Sequence, residues 1–432
     1  MKYQVPKGTF DILPRDTKRE NKWKESHRWN YLEKVIRQLA SDYGYLEIRT
    51  PIFEQTDLFV RGIGHTSDIV SKEMYTFADK KNRSMTLRPE GTASVARSFV
   101  EHGLHQFGSD QKFFYIGPFF RYDRPQAGRF RQLHQFGVEA IGQPCPEQDL
   151  EVIDMLLELY RRLGLKNLEL KLNSLGNVDT RCMYKKKLLD FLRPHFSSLS
   201  PHSQARFTNN PLRILDSKDP KERSLLSGAP EIIKALDIDS QAHFHELCHL
   251  LKMQDIPFTI EPTLVRGLDY YNRTVFEIIS DAIGTQNAIG GGGRYDELMA
   301  QLGGLDFPAV GFSTGMERIL YAMERQNAPI PVPTPPFVCF IPLGEQAKAV
   351  SLSTMYQVRH NRVSAIINWA KKIQKALQRA SELNVRLCVI IGEEELATGI
   401  AQVKNMRSRQ TSHVKIDELT SFLLQTGKTC DI

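Results

Sequence analysis

Long apolar runs are what this chain of 432 residues most plainly lacks. No stretch of eighteen apolar residues occurs, and the opening MKYQVPKGTFDILP has no apolar run behind its lysine. Neither a membrane span nor a secretory signal is therefore expected, and a cytoplasmic location is. Cysteine is sparse. Cys145, Cys182, Cys248, Cys339, Cys388 and Cys430 are scattered without a CxxC pair, which suits reduced thiols rather than a disulfide frame or a cysteine zinc site. The phosphate-binding pattern GxxxxGK[ST] is missing too, so any nucleotide phosphates must be held by side chains.

What is present is an ordinary globular composition, 41% hydrophobic and 25% charged, whose length predicts two or three domains with their own cores. The net charge of +7 is unevenly placed: residues 337–432 hold 13 Lys and Arg against 8 Asp and Glu. A basic tail domain points first to nucleic acid, although an excess of this size also serves solubility.

Residues from about 21 to 43 put Tyr31, Val35, Ile36 and Leu39 on one helical face, with Gly44 as C-cap. YLEIRTPIFEQ reads as a strand into Pro51, and short strands are predicted over 74–78 and 85–88 around a turn at 79–82. Pro89-Glu90-Gly91-Thr92 then leads into a helix over 93–101, with Thr92 the predicted N-cap. A helix over 148–163 and a strand over 168–172 come next. From about 177 to 255 the chain is polar, helix-rich and interrupted by Pro194, Pro201, Pro211 and Pro220, which reads as an inserted helical module. Strands are predicted again over 263–271 and 274–279, a glycine run at 290–293 is expected to open a short helix, and a strand over 309–314 to enter a helix over 315–324. The fold class is thus α+β, with a mixed, mainly antiparallel sheet. PIPVPTPP (329–336) should be a semi-rigid linker closing a catalytic domain over 1–328. Beyond it, VCFIPL, SAIINW and RLCVIIG alternate with helical stretches and predict a small α/β domain with a parallel core over 337–432.

The stretch 113–139 organises the rest. Phe113, Tyr115, Phe119 and Arg121 fall on one side of a period-2 strand and Phe114, Ile116 and Phe120 on the other. In the returning strand Gln135, Gly137 and Glu139 share a face, and Phe136 and Val138 the opposite one. Between them Arg121, Arg124, Arg129 and Arg131 crowd a loop with Pro125 and Gly128, which reads as a long hairpin turn. A solvated basic loop is one explanation. Against it, Gln135 and Glu139 flank a glycine, which leaves room for a small ligand on the sheet. Arg121 also ends an aromatic strand, where a planar, permanently charged donor can reach a phosphate.

Three stretches, RTPIFE (49–54), FRYDRPQAGRFRQLHQFGVE (120–139) and GFSTGMERIL (311–320), together resemble the signature motifs of class II aminoacyl-tRNA synthetases. VRGLDYY (265–271), GGGGRYD (290–296), KGTFDILP (7–14) and TLRPEGTA (86–93) are similar to motifs of the histidyl-tRNA synthetase family. The resemblance runs along essentially the whole chain. Departures are small: four glycines where two or three are usual, and Glu297 after the RYD.

The resemblance implies ATP and L-histidine as substrates, Mg²⁺ on the phosphates, a histidine tRNA as partner, a homodimer across the first motif, and no resident metal. It further implies that Arg121 contacts the α-phosphate and the substrate carboxylate, that Arg266 opposes it as the second catalytic arginine, and that Arg318 meets the γ-phosphate. Glu90, Gly91, Thr92 and Gln135 would position the ammonium and carboxylate, and Glu139, Tyr270 and Tyr271 would read the imidazole. Arg124, Gln126, Arg129 and Arg131 would face the tRNA acceptor end, and the tail the anticodon. Simpler explanations stand beside these: a salt bridge from Arg266 to Asp269, core packing of the tyrosines, a turn at the glycines, and solvation of Arg318, whose place in a first helical turn disfavours a cation unless an anion is bound.

Two competing readings come from other classes. His245-Glu246-Leu247-Cys248-His249 matches the HExxH zinc-protease helix, but it falls in the helical module and no third-ligand pattern follows. A catalytically silent, synthetase-like regulatory subunit of an ATP phosphoribosyltransferase would resemble the catalytic domain, yet such paralogues lack the tail and erode the substrate motifs.

Overall fold

The computed structural model describes residues 3–16, 18–64, 67–125, 128–284, 288–370 and 372–428. The chain divides into two compact units, Met1–Pro331 and Val332–Ile432. The division falls inside the proline-rich segment.

In the first unit the strands in chain order are β1 (Leu46–Glu47), β2 (Phe53–Gln55), β3 (Tyr75–Ala78), β4 (Ser84–Leu87), β5 (Gln111–Phe120), β6 (Gln132–Ile141), β7 (Leu168–Ser174), β8 (Phe258–Ile260), β9 (Asn272–Ser280), β10 (Ala288–Arg294) and β11 (Ala309–Gly315). Eight of them form one sheet in the order β1-β5-β6-β11-β10-β9-β7-β8. Only the outer pairs β1/β5 and β7/β8 are parallel. β2, β4 and β3 make a small separate sheet.

Both faces of the large sheet are covered, which is why the β5–β6 hairpin is apolar on each side. Phe114, Phe136 and Val138 point into a core with the helices Ser26–Asp42, Pro146–Arg162, Ile238–Met253 and Met316–Arg325. Phe113, Tyr115 and Phe119 point into a second core with the helix Thr92–Glu101 and the helical module. Within that module the prolines begin helical pieces rather than end them. Pro201 and Pro220 occupy first-turn positions, where their missing N–H costs nothing, and Ser200 and Asp219 cap the same helices.

Several expectations are corrected. The first helix breaks at Glu25, whose extended backbone separates the short 3-10 helix Arg19–Lys24 from Ser26–Asp42. The glycine run is strand β10, not a helix opening; the short helix Leu298–Gln301 comes later. Residues 263–271 are irregular rather than a strand, because Asn173 donates to the carbonyls of Pro262 and Leu264 and so satisfies them outside a ladder.

The second unit holds β12 (Val338–Pro342), β13 (Ala365–Ile367), β14 (Leu387–Ile391), β15 (Ile400–Asn405) and β16 (Thr411–Lys415), in the order β13-β12-β14-β15-β16. The first three are parallel, as expected, but β15 and β16 add two antiparallel strands that short polar alternation left unread. The five described cysteines are free thiols; Cys430 lies outside the described residues. Among the described residues no helix is long and apolar enough to cross a membrane.

Candidate active site

The first unit holds a deep cavity of about 1330 Å³ bordered by β6, β10, β11, the 263–271 segment and the helical module. One end is built of acids and hydroxyls. Glu90, 3% exposed, accepts from the backbone N–H groups of Thr92 at 2.7 Å and Ala93 at 2.8 Å. It therefore caps the helix Thr92–Glu101, the role expected of Thr92. The Thr92 hydroxyl instead donates to Glu139 at 2.7 Å. Glu139 is 1% exposed and also receives the Tyr115 hydroxyl at 3.4 Å and the Tyr295 hydroxyl. Burial pushes its carboxyl up to about 8, against the pull of the Tyr295 and Thr92 hydrogen bonds and with help from nearby Glu90.

The space expected at Gly137 is taken. Tyr115 stands opposite Gly137 in the hairpin register, and a Cβ on Gly137 would lie 2.3 Å from the phenol oxygen. The same ring covers Gly91. These glycines seat a tyrosine, and that tyrosine, Thr92 and Gly91 form the cavity wall while Glu139 lies behind them. Tyr270 and Tyr271 line the same end with ring centroids 4.7 Å apart, and the Tyr270 hydroxyl is 3.5 Å from Glu90. Gln135, also on the wall, holds a buried Oε1 with no hydrogen-bond partner among the described residues. An orphaned acceptor facing a cavity is the signature of a ligand donor.

The other end is built of arginines. Arg121 ties its Nε to the Pro89 carbonyl at 2.8 Å, and among the described residues its two terminal amino groups make no hydrogen bond. Arg318, in the first turn of Met316–Arg325, is braced by the carbonyls of Gly128 and Ala288. Burial first, then the charges of Arg129 and Arg121, lower its hold on its proton, with Glu277 opposing. Three cations thus converge where a first helical turn already disfavours one. Arg266 enters from the irregular segment and pairs with Glu277 at 2.7 Å, not with Asp269, which accepts instead from Asn210 at 2.8 Å. Gly291 on β10 permits that approach, since a Cβ there would sit 3.1 Å from the Arg266 Nη1.

The 121–131 loop splits its arginines. Arg129 lines the cavity and pairs with Asp123 at 2.8 Å, Arg131 stacks on Tyr122 at 4.0 Å, and Arg124 is exposed. Gln126 lies outside the described residues. In the HExxH stretch His245, Glu246 and His249 are all exposed, while His243 turns inward to Asp149 at 2.7 Å. Among the described residues no group of three His, Cys, Asp or Glu side chains is placed to hold a metal ion.

Sequence reasoning missed four participants. Tyr115 was legible as the aromatic partner of a strand glycine, and Glu277 as the lone acid in TVFEIIS. Tyr295 had no signal beyond its motif. Arg181, in the helical module, donates to the Tyr271 carbonyl at 2.7 Å and pairs with Glu297 at 3.3 Å, so the residue that departs from the family pattern anchors the segment bearing Arg266.

A mainly antiparallel sheet that offers arginines to a deep cavity, where a phosphate loop would serve in other folds, defines the catalytic unit of a class II aminoacyl-tRNA synthetase. The comparisons carry the assignment further. The sequence model of the family Histidyl-tRNA synthetase matches residues 8–187 and 203–319, and that of the Anticodon binding domain matches 338–426. Histidine–tRNA ligase of Protochlamydia amoebophila is 50% identical over 98% of this chain and 100% of its own length. That of Geobacillus thermodenitrificans is 44% identical over 99% of both. The crystal structure of apo histidyl-tRNA synthetase from S. aureus superposes with a TM-score of 0.80 at 35% identity, covering 98% of this chain and 100% of that one. The chain belongs to the histidyl-tRNA synthetase family.

Proposed function

We propose that the chain activates L-histidine with ATP and transfers it to the 3′ end of histidine tRNA. The observation that carries this reading is the two-ended cavity, with acids and hydroxyls facing crowded arginines. At the arginine end the histidine carboxylate, already ionised, attacks the α-phosphorus in line and pyrophosphate leaves. No general base is required, so the work is positioning and charge neutralisation. Arg121 offers its terminal amino groups to the α-phosphate and the carboxylate, Arg266 stands opposite, and Arg318 meets the terminal phosphate. At the other end Glu90 and Gln135 take the ammonium, Tyr270 and Tyr271 read the imidazole, and Glu139 does so from behind the wall through the Thr92 and Tyr115 hydroxyls it holds. Apolar isosteres fail there because they cannot exchange hydrogen bonds with the hydroxyls that line that end. In the second step the terminal ribose hydroxyl attacks the acyl carbon and AMP leaves.

Magnesium fits this arrangement as an ion that arrives with the nucleotide. Glu73 lines the cavity beside Arg121 and Arg129 and would hold it, one or two carboxylates plus phosphates being its usual mode. When bound, it neutralises phosphate charge. Arg124, Gln126, Arg129 and Arg131 border the acceptor end of the tRNA, and the second unit takes the anticodon. A homodimer across the first motif is supported by the exposed Leu46, Phe53 and Phe77, and a cytoplasmic location by the family's role in translation. The regulatory-subunit reading is not favoured, since the tail domain and the substrate motifs are both present. The test is ATP–pyrophosphate exchange across all amino acids. Histidine alone should support it, and exchange with another amino acid, or with none, would overturn the reading.

A further inference from the structure

The chain has three tryptophans, and they are used in opposite ways. Trp23 and Trp29 are 5% and 3% exposed in the core of the first unit, whereas Trp369 in the second unit is 55% exposed. A half-exposed indole is uncommon unless it meets a partner, because its large apolar face gains most from being covered. The residues on either side of it are hydrogen-bonded. The Asn368 N–H donates to the Phe340 carbonyl at 2.8 Å, and its side-chain oxygen accepts from the Ala370 N–H at 2.9 Å. The residue before the indole is therefore fastened to β12 and the residue after it to that fastening.

Its position in the sheet is also particular. β13 and β14 lie on opposite sides of β12, both parallel to it, so the loops that follow all three strands emerge at one edge of the sheet. Trp369 directly follows the carboxyl end of β13. Lys372 and Lys375 are exposed a few residues on, and among the described residues neither has an acidic partner. The acids Glu393 and Glu394 follow β14, which leaves the positive surface on the β13 side.

An exposed aromatic face close in sequence to exposed lysines without acidic partners is the arrangement that holds an unstacked nucleobase and its phosphates. We infer that Trp369 stacks a base of the tRNA anticodon loop, with Lys372 and Lys375 on the adjoining phosphates. This rests on the tRNA reading above and assigns it a residue.

Because the other two tryptophans are buried, Trp369 should dominate the change in emission on binding. An oligonucleotide anticodon stem-loop of histidine tRNA should quench the full-length protein, and an acceptor minihelix without that loop should not. Trp369→Ala should raise the KM for full-length tRNA in aminoacylation about five- to a hundredfold, and Trp369→Phe should restore most of it. Minihelix charging and histidine-dependent exchange, which do not engage the loop, should stay at wild-type levels in both variants. A tRNA KM within twofold of wild type in Trp369→Ala, or unchanged emission at saturating stem-loop, overturns the inference. Failure of the wild type to charge histidine tRNA would instead overturn the parent reading.

Discussion

The two ends of the cavity are finished to different degrees. At the acid end nearly every polar atom already has a partner: Glu90 caps a helix, and Glu139 receives three hydroxyls. At the arginine end Arg121, Arg129 and Arg318 crowd one another, and the Arg121 amino groups are unengaged among the described residues. The difference follows from what each end must recognise. An imidazole is small and nearly neutral, so its reader must be held rigid beforehand. A triphosphate brings enough charge to complete its own site, and the mutual repulsion of the arginines before it arrives strengthens binding when it does.

The contrast is most severely tested at Arg266, which stands at the arginine end on the same segment as Tyr270 and Tyr271. Arg266→Ala should lower histidine-dependent exchange about a hundred- to a thousandfold while the far-ultraviolet circular dichroism stays native. Because the change leaves the half-buried Glu277 without its cation, Arg266→Ala/Glu277→Gln serves as the control. Recovery of exchange in the double variant would mean that the orphaned carboxylate, not the missing charge, caused the loss.

A smaller effect is expected at the acid end. Glu139→Gln should reduce the preference for histidine over other amino acids about ten- to a hundredfold, and an unaltered amino-acid profile would remove Glu139 from the reader. The same variant tests the buried carboxyl. An unfolded Glu releases its proton near pH 4.5, whereas the folded Glu139 keeps it until about 8. The folded state thus binds the extra proton in between, and Glu139 costs stability progressively as pH rises through that window, then no further above it. The thermal midpoint of the wild type should fall relative to Glu139→Gln between those limits. Parallel curves would show that the carboxyl ionises normally.

The smallest effect belongs to the brace between them. Arg181→Ala, which frees the Tyr271 carbonyl, should raise the histidine KM about fivefold, with Arg181→Lys intermediate. An effect confined to thermal stability would make Arg181 structural only.

Periodicity and spacing carried much of this. The amphipathic first helix and the β5–β6 hairpin are local patterns with their own signal along the chain, and the alternation of short apolar strands with helices in the tail gave its parallel core. The motif residues Glu90, Thr92, Arg121, Gln135, Tyr270, Tyr271, Arg266 and Arg318 all line one cavity. Local signals failed where a contact between distant segments overrode them. The 263–271 stretch reads as a strand but is drawn off by Asn173, and the glycine run is a strand because neighbouring backbones, not a turn, require its bareness.

The sequence by itself therefore determined those elements whose signal is local and the residue types they carry, since both depend on neighbours three or four positions away. Only the tertiary structure decided what each side chain answers to. Tyr115 fills the gap left by Gly137, Glu277 rather than Asp269 holds Arg266, and Arg181 and Glu297 fasten the segment between the two ends. Those choices turn on approaches of 2–4 Å between residues far apart in the chain, and no pattern along one strand or helix encodes a distance across the fold.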